Sequence, residues 1–130
     1  MPQWHDDLGK RKVTGGKLGS YRSKRRSDSG RYATETKLGE LQYSVVVGRG
    51  GSTKLRLFRD KFANVTSPDG KKTERVEVER VVRNPVNVDF DRRRVITRGA
   101  IIGTRLGEAV VTSRPGQDGI VNALLLRTKD

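Results

Sequence analysis

The run from Lys10 to Arg26 carries eight Lys or Arg residues and no Asp or Glu. Its only sizeable apolar side chains are Val13, Leu18 and Tyr21. They are too few for a helical stripe or a strand face, so the run cannot fold by burying its own surface. Unscreened, its cations repel one another. Gly15, Gly16 and Gly19 leave the backbone free to lie close against a dense polyanion. The stretch therefore reads either as an arm that settles on such a polyanion or as a solvated basic tail. In both cases the fold must come from elsewhere in the chain.

That elsewhere begins near residue 40, where composition changes. Before it the sequence is mostly Gly, Ser, Lys and Arg, with Ala33 to Glu40 as a lead-in. From Tyr43 on, short β-branched runs alternate with turn signals. Tyr43 to Val47 reads as a strand ended by Gly48-Arg49-Gly50-Gly51-Ser52. Thr53 to Arg59 alternates, with Leu55 and Leu57 on one face and Lys54 and Arg56 on the other. Phe62 to Thr66, the turn Ser67-Pro68-Asp69-Gly70 and the alternating Arg75 to Glu79 read as a hairpin. Helix propensity competes over Lys72 to Val82, but period two decides for strand. Asn84-Pro85 breaks the chain.

Strand-like segments then cover Arg94 to Thr97, Ala100 to Arg105, Ala109 to Ser113 and Ile120 to Leu126, with a dense turn cluster at Arg114 to Gly119. So many short strands with such frequent turns predict a mainly β fold, a small antiparallel barrel-like domain over 41–130 behind a basic arm over 1–40. Phe58 and Phe62 are expected in its core. Trp4, Tyr21 and Tyr32 stand among the cations, suited either to stack on unpaired bases or to pack on the domain.

Charge identifies the class of partner. The chain has 130 residues and a net charge of +13, with a pI near 10.8. A protein this basic is expected to bind nucleic acid. Arg outnumbers Lys, 18 to 10. Guanidinium binds phosphate through paired hydrogen bonds and stacks on bases, which favours RNA over a membrane surface. Arg75 and Arg80 have a blander use, pairing with Glu77 and Glu79. Only 32% of residues are hydrophobic, little for a self-sufficient core of this length. The N-terminus lacks a secretory h-region and no apolar run nears the roughly 20 residues that span a bilayer, so the expectation is a soluble, cytoplasmic protein.

Catalytic and metal chemistry find little support. Cysteine is absent, which removes disulfides, thiolate metal sites and thiol nucleophiles. The one histidine, His5, stands beside Asp6 and Asp7 in a segment expected to be too loose to position reacting atoms. A structural zinc site needs four N or S ligands. Thr14-Gly15-Gly16-Lys17 resembles a phosphate loop only in part, because Arg11 stands where the motif needs its first glycine and Leu18 follows the lysine. No catalytic residue, metal or cofactor is expected.

Three strings carry a family resemblance. They are Asn84-Pro85-Val86-Asn87, then Arg92-Arg93-Arg94-Val95-Ile96-Thr97-Arg98-Gly99-Ala100-Ile101-Ile102, then Val111-Thr112-Ser113-Arg114-Pro115-Gly116-Gln117-Asp118-Gly119-Ile120-Val121-Asn122-Ala123. Lys12 to Gly16 and Glu35 to Gly39 add to them in the same order. Together they resemble the small-subunit ribosomal protein of the eight-e family, found in archaea and eukaryotes, in its short archaeal-like form. The resemblance implies a barrel-like domain and a basic extension, both bound to small-subunit ribosomal RNA beside neighbouring ribosomal proteins. It implies a structural role, with no catalysis, no small-molecule substrate and no membrane.

The RNA-binding residues expected on this basis are Lys10, Arg11, Lys12, Thr14, Gly15, Gly16, Lys17, Arg22, Lys24, Arg25 and Arg26 in the arm. In the domain they are Arg92, Arg93, Arg94, Arg98 and Arg114. Asp6 and Asp7, unusual in a basic opening, suit a magnesium ion or another protein. The competing function is a free RNA- or DNA-binding barrel, a chaperone or chromatin protein outside the ribosome.

Overall fold

The computed structural model describes residues 9–20, 22–28, 30–70 and 72–128. Trp4, His5, Asp6, Asp7, Tyr21 and Lys71, which the sequence singled out, lie outside the described residues. The chain divides into two compact units, one ending at Ala33 and the other beginning at Thr34.

The second unit is mainly β. A three-stranded sheet has the order β1 (Lys37–Leu38), β3 (Thr53–Asp60), β2 (Gln42–Val47). A closed barrel follows, made of β4 (Phe62–Thr66), β5 (Thr73–Arg83), β6 (Ile101–Thr104), β7 (Gly107–Val111) and β8 (Asn122–Thr128). Successive barrel strands are antiparallel, but β4 meets β8 in parallel, Asn64 opposite Asn122. That one parallel pair closes the ring and leaves it no free edge.

Alternation selects the barrel's interior. Ala63 and Val65 of β4, Val76 and Val78 of β5, Ala109 and Val111 of β7, and Ala123 and Leu125 of β8 are all buried. On β5 the next inward residue is Val81 rather than residue 80, because the pairing with β6 shifts between Val78 and Arg80. Such a bulge re-aims the strand without breaking it. The interior is small and aliphatic, which suits a narrow barrel and explains how so low a hydrophobic content suffices. Ser67-Pro68-Asp69-Gly70 makes the expected hairpin turn, Gly70 N donating to Ser67 O at 2.9 Å.

The folded unit starts at Thr34, ahead of the composition change near residue 40, and Thr36 shows why. It is buried, its Oγ1 donates to Leu57 O at 2.7 Å, and its carbonyl accepts from Ile96 N at 2.7 Å. Leu57, on the inner face of β3, is fully buried in the same core.

Two expectations need correction. Arg94 to Thr97 is not a strand, although Val95 and Ile96 are buried. A short helix α1 (Val88–Arg92), capped by Asn87 Oδ1 accepting from Asp89 N at 2.8 Å, precedes it. Arg94 then turns the chain at φ 54°, so the stretch meets Thr36 through a single bridge. Phe58 and Phe62 are not core residues either. They stay 38% and 41% exposed, on strand faces directed away from the barrel interior. Arg114 to Gly119 is a turn cluster, as expected, with a helical turn α2 (Pro115–Asp118) inside it.

Candidate nucleic-acid interface

In the arm, backbone hydrogen bonds rather than packing make the local structure. Arg11 bridges Lys17, Lys12 N donates to Gly16 O and Gly15 N donates to Lys12 O, both at 2.9 Å. The result is a tight hairpin turn over 11–17. Gly15 sits at φ 82°, where a side chain would be strained. Arg11 closes the turn by donating from a terminal nitrogen to Gly15 O at 3.1 Å. Every residue from 9 to 17 is exposed, so Lys10, Arg11, Lys12, Thr14 and Lys17 surround a turn with no core beneath it.

Further along, a second local device appears. A 3-10 turn covers Arg26–Asp28. Asp28 Oδ2 accepts from Arg22 at 2.6 Å and from Arg25 N at 3.1 Å. The Arg22 hydrogen bond, reinforced by the Arg25 amide and both positive charges, holds the Asp28 carboxyl below its ordinary range against the opposing effect of burial. Arg22 is thus committed to Asp28, whereas Lys24 and Arg25 present exposed side chains.

The domain arginines divide in the same way. Arg93 is taken up by the fold: its guanidinium pairs with Glu35 and, at 2.7 Å, with Asp89. The hydrogen bond that Arg93 donates to Glu35 leads in raising its pKa above the ordinary arginine value, burial opposes, and Asp89 adds to the rise. Arg94 donates to the carbonyls of Val81 and Val82 at 3.0 and 3.1 Å, pinning the end of β5. Arg92 pairs with Asp89 at 2.8 Å but remains 79% exposed. Arg98, on the turn before β6, and Arg114, before α2, are exposed, with no guanidinium partner among the described residues. Arg105, in the two-residue turn between β6 and β7, is exposed in the same way.

The family strings hold internal joints. Asn84 is buried; its Nδ2 donates to Val95 O at 2.8 Å and Thr97 Oγ1 at 2.9 Å, and its Oδ1 accepts from Val86 N at 3.1 Å. Its own N donates to Asp91 Oδ1 at 2.8 Å. Ser113 Oγ donates to Ile120 O and accepts from Asn122 N, each at 2.9 Å. Gly119 ends α2 at φ 76°, and a Cβ there would lie 2.5 Å from the Cβ of Leu55. Arg75 stacks on Phe62, 4.6 Å from the ring centroid. Neither that stack nor the part of Glu35 was legible beforehand, although Glu35 opens one of the family strings.

Among the described residues, no group of three His, Cys, Asp or Glu side chains could hold a metal ion, and no helix is long and apolar enough to cross a membrane. A closed aliphatic barrel with exposed arginines on its turns, and a cationic segment held by local hydrogen bonds, define a small, strongly basic β-barrel protein with exposed cations. The model of the ribosomal protein S8e family matches residues 5–126, and the chain belongs to that family.

Curated relatives agree. The chain is 45% identical to the small ribosomal subunit protein eS8 of Methanosarcina barkeri, over 90% of this chain and 94% of the relative. It is 46% identical to that of Methanoregula boonei, over 89% and 93%, and 44% identical to that of Sulfurisphaera tokodaii, over 90% and 92%. This is therefore a structural constituent of the small ribosomal subunit rather than an enzyme.

Proposed function

We propose that the protein binds and stabilises small-subunit ribosomal RNA through its basic arm and the arginine-bearing turns of its barrel, beside neighbouring ribosomal proteins in the cytoplasm. The observation that carries this reading is the 11–17 hairpin turn, whose cationic side chains are all exposed. Ordering such a segment costs roughly 1–2 kcal/mol of backbone entropy per residue, so many phosphate contacts must offset it. Each neutralised phosphate releases condensed counterions, which makes the binding steeply salt-dependent. The domain engages folded RNA by shape, phosphate and 2′-hydroxyl contacts more than by base sequence.

Among the domain arginines the reading favours Arg98, Arg105 and Arg114 as phosphate ligands, with Arg92 reachable at the end of α1. Arg93 and Arg94 act one step back, holding the strands that carry the others. Assembly into the small subunit tests the proposal. A chain lacking residues 1–30 is expected to be excluded from particles that incorporate the intact chain. Equal incorporation would refute the arm's role, and recovery of the intact protein mostly outside ribosomal fractions would point to a free nucleic-acid-binding barrel.

A further inference from the structure

Phe62 and Asn64 lie two apart on β4, with Ala63 and Val65 turned inward, so both face outward. Arg75 is directly opposite Asn64 on β5, and its guanidinium covers the Phe62 ring. Tyr43 of β2, 57% exposed, and Ile120, 46% exposed, line the same groove of about 420 Å³. That volume falls within the range of small-molecule sites, about 300–1,000 Å³. Asp60 also lines it. One carboxylate oxygen accepts from Phe62 N at 3.0 Å, which fixes the group beside the ring. Asp60 makes no ion pair among the described residues, in a protein of net charge +13.

From this combination we infer that the groove is a binding site for one unpaired nucleobase of the RNA, with guanine preferred. The inference rests on the RNA-binding role proposed above. A carboxylate repels phosphate, so the groove does not suit the RNA backbone. An apolar peptide would bury the Asp60 carboxylate without donating to it, at a desolvation cost. A base meets both demands: its face stacks on aromatic and guanidinium planes, and its edge supplies hydrogen bonds. Guanine alone among the four bases presents two adjacent donors, N1–H and the N2 amino group, matching the fork of a carboxylate. Uracil offers one N–H flanked by carbonyls that the carboxylate repels. Asn64, whose Nδ2 donates to Asn122 Oδ1 at 3.0 Å, adds an amide to the groove lining.

The test titrates the full chain with the pentaribonucleotides UUGUU, UUAUU, UUCUU and UUUUU, following amide and aromatic NMR signals. UUGUU is expected to bind about tenfold more tightly than UUUUU and to shift the Phe62 ring and the Asn64 side-chain amide. Asp60→Asn keeps the oxygen that accepts from Phe62 N but turns the outer oxygen into a donor. It is expected to abolish the guanine preference, so that UUGUU and UUUUU bind the variant equally well, with the unfolding midpoint unchanged. Salt-dependent binding that is blind to the base overturns the groove and leaves the RNA-binding role standing. Failure to bind any of the four overturns the groove, while the RNA-binding role, which rests on folded RNA, is judged by assembly into the subunit. Shifts of Tyr43 and Phe62 on raising protein concentration alone mark a self-association surface and overturn the inference.

Discussion

The turn over 11–17 and the turn over 112–122 are built in opposite ways. The first is closed by its own backbone and by Arg11, with every side chain in solvent. The second is closed by its side chains: Ser113 joins Ile120 to Asn122, Asp118 Oδ2 accepts from Arg114 N at 2.8 Å, and Gly119 fits under Leu55. One turn leaves its functional groups available to a partner, and the other uses them up. The same division runs through the arginines. Charge alone would rank Arg93 and Arg98 as equals, yet Arg93 is bound to Glu35 and Asp89 whereas Arg98 is exposed. A cation contributes to an interface only when the fold has not already neutralised it.

The sharpest way to break this contrast is to remove one side of it. Deleting residues 1–30 takes away all eight cations of the Lys10 to Arg26 run. The slope of log affinity for RNA against log salt should fall by about 5–7, read by filter binding over a salt series. The barrel's thermal midpoint should stay in place; a large drop would show that the two units are not energetically separate.

Asn84→Leu attacks the other side. It orphans the buried Val95 carbonyl and part-buried groups of Val86 and Thr97, and should cost about 2–4 kcal/mol in urea denaturation. RNA affinity of the protein that remains folded should not change. Next in size is the comparison within the arginines. Arg93→Gln should lower the urea midpoint slightly, since its ion pairs are partly exposed and screened by solvent. Arg98→Gln should leave stability alone and reduce the salt slope by about 1. Reversed outcomes would mean that the ion pairs open on RNA.

The smallest effect is a titration. The folded pKa of Asp28 lies below its ordinary 3.8, so its pairing with Arg22 is fully present above that pH. The stabilisation fades as pH falls through the lower, folded value. Carboxyl NMR should give a midpoint under 3.8, and Arg22→Gln should move it upward.

Much of the fold was legible in the chain because local signals agreed. Val76 and Val78 alternate with Glu77 and Glu79, and Ser67 to Gly70 supplies the turn chemistry, so the β4–β5 hairpin follows from residues alone. Ile96 misled for a physical reason. A residue that enters the core from a loop, with one bridge to Thr36, leaves the same apolar pattern as one buried in a sheet. Phe62 misled because an aromatic on a strand reads as core until the strand's register decides which way it faces. Of the candidate interface, the arm was legible as uncompensated charge. The division among the domain arginines was not, because it depends on Glu35 and Asp89, which only the fold brings to Arg93.

The parallel pairing of β4 with β8 sets a schedule for the newly made chain. The ring's first strand cannot meet its last until the residues around Asn122 to Leu124, 58 positions after Asn64, are available to pair. The cationic run over 10–26, by contrast, precedes the barrel strands and needs no core. Until the ring closes, the chain is a polycation joined to an open set of strands, exposed to any nucleic acid it meets.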